Sequence, residues 1–357
     1  MKKLFYLLSV CAFLSAAFQA YAVDRYMATT GVNTGDCSSE ASPCLTLQYA
    51  MSQMNGGDTL YIEDGEYTTA DNTIDQFHVP PSGAQNNLTV IRAKNIPCQD
   101  GVPCDEPLRV RFTGNARFAC LNENNVASYV KFWGIRWNGI TTYRGWNNIY
   151  FKQVASQGIQ DGNNTAIAIM GNNNLLEDVV AFGKGRCKIL FYDRSREAQT
   201  DGVDNFTYRS ATQIGKVLGR NDGVKLYGGD GPISLSHSIF SDLAEDGVDG
   251  GGVSSNHINM HQIAGSEYLY STPAPQLHRY DPLANGLKYP VRIEQGSVLA
   301  TLGSGGARIG ANITHKLGVD GTFKGEVDWD AEQQAPLWPW PEVPVKAVTP
   351  IKPQPPP

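Results

Sequence analysis

The chain has 357 residues, of which 41% are hydrophobic, 18% charged and 10% aromatic, with 37 glycines and 20 prolines. That hydrophobic share supplies a core and excludes a mainly disordered chain, while high glycine and low charge exclude a coiled coil or helical bundle. The 29 basic and 35 acidic residues leave a net charge of −6, and no basic face for nucleic acid stands out.

Residues 1–22 have the layout of an export signal. Lys2 and Lys3 precede the apolar run from Leu4 to Phe18, and Ala20-Tyr21-Ala22 is a small-x-small cleavage site. The apolar run is shorter than a membrane span, and no later stretch approaches one. Val10 before Cys11 is a poor fit to a lipidation site. The mature protein is expected outside the cytoplasm (periplasm, cell surface or medium), with no transmembrane segment. Without the signal 27 basic residues face 35 acidic ones, a charge of −8. An acidic polysaccharide would then need a local basic groove or a bridging calcium.

Six cysteines remain. Cys37 and Cys44 bracket a short loop, as do Cys98 and Cys104, and an oxidising compartment lets each pair close. Cys120 and Cys187 lie 67 residues apart and are read as buried free thiols. No cysteine or histidine spacing fits zinc.

Within Cys44 to Met51, Leu45, Leu47, Ala50 and Met51 fall on one helical face that suits a cap over a core. Beyond it apolar residues recur as φ-x-φ: Leu60/Ile62, Leu88/Val90/Ala93, Val110/Phe112, Val130/Phe132/Ile135 and Ile149/Phe151/Val154. The series continues through Leu176/Val179, Phe206/Tyr208/Ala211, Ile233/Leu235 and Ile258/Met260/Ile263, at steps of 19 to 32 residues. Short alternation means short strands with one buried face, and its repetition means a solenoid. A leucine-rich repeat would need a fixed leucine and asparagine frame, and a propeller a longer unit. The spacing leaves a parallel β-helix, with coils about 4.8 Å apart. Asparagines at Asn86-Asn87, Asn124-Asn125, Asn147-Asn148, Asn163-Asn164 and Asn172 to Asn174 sit at the turns, where their side chains bond the backbone and left-handed angles are tolerated.

The stretch Cys44-Leu-Thr-Leu-Gln-Tyr-Ala, followed by Gly57-Asp-Thr-Leu-Tyr-Ile-Glu-Asp-Gly-Glu-Tyr67, resembles the capping helix and first strand of right-handed parallel β-helix proteins of the pectate-lyase-like superfamily. The segment from Asn172 to Arg186 is similar to a coil of exported bacterial members. The resemblance implies a single all-β, right-handed parallel β-helix over residues 23–340. It does not fix an activity, because the superfamily holds lyases, hydrolases, epimerases and proteins without known catalysis. Residues 266–295, with four prolines, read as an irregular insertion; residues 296–325 read as final coils, and residues 341–357 as a proline-rich disordered tail.

Two chemistries suit a polysaccharide on a solenoid. β-Elimination needs a base and a cation that neutralises the neighbouring carboxylate. Lys184, Arg186 and Lys225 are the candidates. Hydrolysis needs two placed carboxylates, but the superfamily's Asn-Thr-Asp, Asp-Asp, Gly-His-Gly and Arg-Ile-Lys motifs are absent and Arg292-Ile-Glu lacks the decisive lysine. Asp242, Glu245, Asp246 and Asp249, ahead of three glycines, offer oxygen ligands for calcium, the one cofactor suggested. Trp133 and Trp137, out of phase with Phe132 and Ile135, together with Tyr143 and Trp146, are candidates to stack on sugar rings. His257 and His261 stand about 13 Å apart along a strand, so they read as a polar row with Asn259, touching ligand rather than metal. Two functions stay open: a polysaccharide-binding protein that acts as a lyase, and a non-catalytic extracellular scaffold or adhesin.

Overall fold

The computed structural model describes residues 22–96, 108–120, 125–143, 145–158, 165–171, 174–177, 179–183, 187–192, 203–204, 207–209, 222–227, 233–237, 239–243, 248–249, 253–263, 265–269, 273–281, 297–310, 315–317 and 332–336. The export signal, the Cys98 and Cys104 pair and the proline-rich tail therefore lie outside the described residues.

Strands Thr59–Ile62, Gly65–Tyr67 and Ile74–Asp75 complete one turn of chain, each in a different sheet, and Thr89–Ala93 then pairs back onto Thr59–Ile62. Repeating that turn builds sheet A of nine strands (Asp24–Met27 to Val253–Asn256) and sheet B of nine (Gly65–Tyr67 to Leu277–His278). Sheet C has eight, from Ile74–Asp75 to Tyr268–Leu269. Neighbouring strands in these sheets run parallel, for example Ile149–Lys152 on Val130–Trp133 and Asp222–Tyr227 on Cys187–Tyr192. The fold is a parallel β-helix.

Like residues stack coil upon coil. In sheet A, Leu60, Ile91, Phe132, Phe151 and Leu176 occupy one register position and are buried. In sheet C the buried column is Ile74, Phe118, Ile140 and Ile167. Phe112 and Trp137 stack at 4.2 Å and Phe132 and Phe151 at 5.2 Å, with Phe118 presenting its edge to Trp137. Such ring pairs add about 0.5–1.5 kcal/mol each beyond the area they bury.

The φ-x-φ reading places most of these residues correctly and slips by one at Leu88/Val90. There Thr89, Ile91 and Ala93 face inward, because the Thr89 hydroxyl is held inside, accepting from the Gly57 backbone N–H at 3.0 Å.

Sheets A and B meet at a corner of one or two residues in all coils but one, where residues 94–109 separate Thr89–Ala93 from Val110–Phe112. Gly134, Gln153, His237 and His257 occupy it with φ of +73°, +49°, +49° and +51°. That left-handed residue lets the chain turn without leaving the coil, and it restarts the inside–outside alternation.

The N-terminal end is closed by helix Leu47–Ser52, which buries Leu47, Ala50 and Met51. The Leu47 N–H donates to Asn72 Oδ1 at 2.9 Å. Leu45 precedes the helix and is 39% exposed, so it is not part of the covering face. Cys37 and Cys44 form a disulfide with Cα atoms 5.4 Å apart, closing the loop between the first strand and the helix. Cys120 is a buried free thiol; the side chain of Cys187 is not among those described. Toward the far end, Tyr268–Leu269 and Leu277–His278 extend sheets C and B into the segment expected as an insertion. Residues 297–310 form no coil. They make two short 3-10 turns, Val298–Ala300 and Ser304–Gly306, and Leu299 of the first and Ile309 beyond the second pack on Ile239, on the outer side of sheet B.

Candidate functional site

The outer side of sheet A carries a ladder of rings and cations. Tyr26, Tyr61, Arg92, Trp133 and Lys152 share one register position on successive coils. Parallel pairing holds such side chains at a repeat of about 4.8 Å, so planar groups lie face to face. Tyr26 and Tyr61 stack at 5.7 Å. The Arg92 guanidinium lies 5.4 Å from the Tyr61 ring and 4.4 Å from the Trp133 ring. Lys131, two positions back, sits 4.0 Å from Trp133 and 4.8 Å from Tyr150 on the next coil, and Lys152 is 5.9 Å from Trp133. Trp133 Nε1 donates to Gln153 Oε1 at 2.8 Å, which fixes the indole. Burial holds the Arg92 pKa below its usual range, opposed by the Tyr61 hydroxyl.

Trp133 thus stands outside as expected, but Trp137 does not. The corner at Gly134 restarts the alternation, so Ile135 and Trp137 both face inward and Trp137 is 0% exposed on Phe112. Trp146 is equally buried, and Tyr143 packs against the core. Neither Trp137 nor Trp146 is available to a sugar. Tyr61, Arg92, Lys131 and Tyr150 were missed by the sequence reading. The signal was present in the x positions of the φ-x-φ units, once those are aligned across strands.

Sheet C brings two other candidates together. Lys225 on Asp222–Tyr227 and Asp249 on Val248–Asp249 are Cα partners, one position beyond the paired Val224 and Val248. The same register position runs back through Leu190, Ala168, Thr141 and Ala119 to Asp75. Lys184 and Arg186, in the connection entering Cys187–Tyr192, lie outside the described residues, as do Glu245 and Asp246. Asp242 lies on strand Ile239–Leu243 of sheet B, so its strand belongs to a different face from that of Asp249.

No family model matches the sequence, and no curated protein matches it. Three solved structures are similar in shape. A pectate lyase, Pel9A, is 14% identical with a TM-score of 0.44, covering 78% of this chain and 84% of its own. A rhamnogalacturonan lyase is 13% identical with a TM-score of 0.41 over 67% of this chain and 74% of its own. A PL6 family alginate lyase, AlyGC, is 10% identical with a TM-score of 0.35 over 62% of this chain and 33% of its own. The fold assignment stands on the chain's own three sheets.

The histidines serve the fold. His257 occupies the A–B corner rather than a strand, stacks on His237 at 5.2 Å and contacts the Leu302 carbonyl through Nδ1 at 3.1 Å. A carbonyl accepts only, so that nitrogen carries the proton. His237 Nε2 accepts from the Ser304 N–H at 2.9 Å. A side chain at Gly303 would meet the His237 ring at 2.3 Å, so only glycine fits there. His261 pairs with Asp281 at 4.0 Å. Asn259 is no part of an exposed row. It is buried, donating to the Tyr280 carbonyl and accepting from its N–H, both at 2.9 Å. Among the described residues no three His, Cys, Asp or Glu side chains gather as metal ligands, and no helix is long and apolar enough to cross a membrane.

Proposed function

We propose that this protein is exported and acts on an acidic polysaccharide by β-elimination on the outer face of sheet C. The observation that supports it is the register pairing of Lys225 with Asp249 on adjacent parallel strands of sheet C. Lys184 and Arg186 lead into the strand paired with that of Lys225. In this reading the neutral Lys225 amine takes the C5 proton of a uronate. The electrons of that C–H bond form the C4–C5 double bond, and the C4 glycosidic oxygen departs with the bonding pair. Arg186 or Lys184 faces the substrate carboxylate, whose charge must be offset for the proton to leave. Asp242, Glu245, Asp246 and Asp249 are the carboxylates to which calcium would bind. The described side chains form no ligand set, so no step passes through the ion.

The test incubates mature protein with polygalacturonate, alginate and a sulfated glycan, with and without calcium, following both the absorbance of unsaturated product and binding. The expected result is new absorbance that Lys225→Ala lowers by about 10²–10⁴-fold with binding retained. Binding without absorbance in the wild type would make the protein a recognition module. Silence in both assays would leave an extracellular scaffold.

A further inference from the structure

We propose that the outer face of sheet A is a second glycan-binding site, for a polyuronate lying along the helix axis with its carboxylate on Arg92. The site stands on its own side chains and does not depend on lyase chemistry at sheet C.

Arg92 differs from the cations around it. Arg25 faces Asp36 and Asp58, Lys94 faces Glu40 and Glu63, Arg109 faces Asp64 and Arg111 faces Glu66. Among the described residues Arg92 faces no carboxylate. Its Nε donates to the Ala93 carbonyl at 3.1 Å, and its neighbours above and below are the rings of Tyr61 and Trp133. A guanidinium has five donors in a planar fork, and ring faces attract the cation without accepting those hydrogens in its plane. The terminal nitrogens are left for an acceptor arriving from solvent, and a carboxylate matches the fork with two parallel bonds.

The rings also decide the mode of binding. Their faces are occupied along the axis by Arg92 and Lys131, so a sugar meets ring edges and cation edges rather than a bare aromatic platform. A neutral glycan gains little from such a surface. From Tyr26 to Trp133 the strip spans about 14 Å at the coil repeat, with Lys152 buried beneath its far end, which suits a short stretch of an extended polymer. A nucleic acid is less well matched, because the described strip holds three cations in a chain of net charge −6 and phosphate backbones need a broader basic face.

The probes are hexagalacturonate, its fully methyl-esterified counterpart and a dT oligonucleotide of similar length. Tryptophan quenching and calorimetry report binding at low and high salt, with absorbance followed in the same samples so that cleavage is scored separately. Hexagalacturonate is expected to bind, weakening with salt, while the ester and the oligonucleotide bind at least tenfold less tightly. Arg92→Gln should weaken binding about tenfold or more, Arg92→Lys should recover part of it, and Trp133→Phe should remove the quench. Thermal unfolding of each variant shows whether it is folded; if Arg92→Gln is not, Lys131→Gln takes its place with the same expectation. Unchanged affinity in the folded Arg92→Gln protein, equal binding of the ester or the oligonucleotide, or no binding of hexagalacturonate by the wild type would each overturn the proposal. Loss of lyase activity in Lys225→Ala with binding intact would leave it standing.

Discussion

Asn174 is buried, accepting from the Ile149 N–H at 2.9 Å and donating to the Trp146 carbonyl at 3.0 Å. It therefore satisfies two backbone groups of the preceding coil that the turn leaves without ladder partners. Asn174→Ala is expected to cost about 2–6 kcal/mol, since each of the two buried orphans costs about 1–3 kcal/mol, read as a lower midpoint in urea denaturation. This residue was legible from the Asn172 to Asn174 run, because asparagine is the side chain that both accepts from and donates to a turn. Trp137 was legible from Ile135, two residues before it on the same strand face, and is misplaced only when the count runs from Phe132 across Gly134. Its inward position depends on the corner at Gly134, and one residue out of strand geometry reverses every parity that follows.

The histidine-bearing element at the far end gives a pH dependence. His278 Nε2 is buried without a hydrogen-bond partner, and burial, then the nearby His257, holds the His278 pKa below its usual value. An unfolded histidine titrates near about 6.5, so below that pH the unfolded chain binds more protons than the folded one and stability falls. The contribution is present above about pH 6.5 and is lost as pH drops toward the depressed folded value. Thermal midpoints between pH 7 and pH 5 should decline in the wild type and decline less in His278→Leu. At this scale the sequence disclosed the capping helix and the β repeats, but read residues 297–310 as coils. Their apolar residues Leu299 and Ile309 are the right type for a coil and instead cover the outward Ile239.

Across the whole molecule, stability is distributed along one stacked core, and the Cys37–Cys44 bond closes only a loop at its end. Reducing agent should loosen that loop, read as faster amide exchange around residues 37–46, while the β signal in circular dichroism persists; its full loss would contradict this. The solenoid was legible because each coil repeats the same apolar spacing. The functional faces were less so. Tyr61, Arg92 and Trp133 come from three strands, and nothing in linear order shows that they share a register position. Composition pointed away from an acidic ligand, yet the negative charge is spread over the chain while these cations are gathered on one strip.

The A–B corner also sets where the chain can change length. At a corner made by one residue, such as Gly134, an extra residue would shift the parity of the strand beside it, turning a residue such as Phe132 outward and Lys131 inward. The connections from B to C and from C to A vary from coil to coil, and their length does not fix which side of a strand faces the core. A graft of foreign peptide belongs on those two margins or within residues 94–109. Where a single left-handed residue makes the corner, it is the seam along which residues must be counted; residues 94–109 show that a long connection at the same margin keeps Ala93 and Val110 buried on either side.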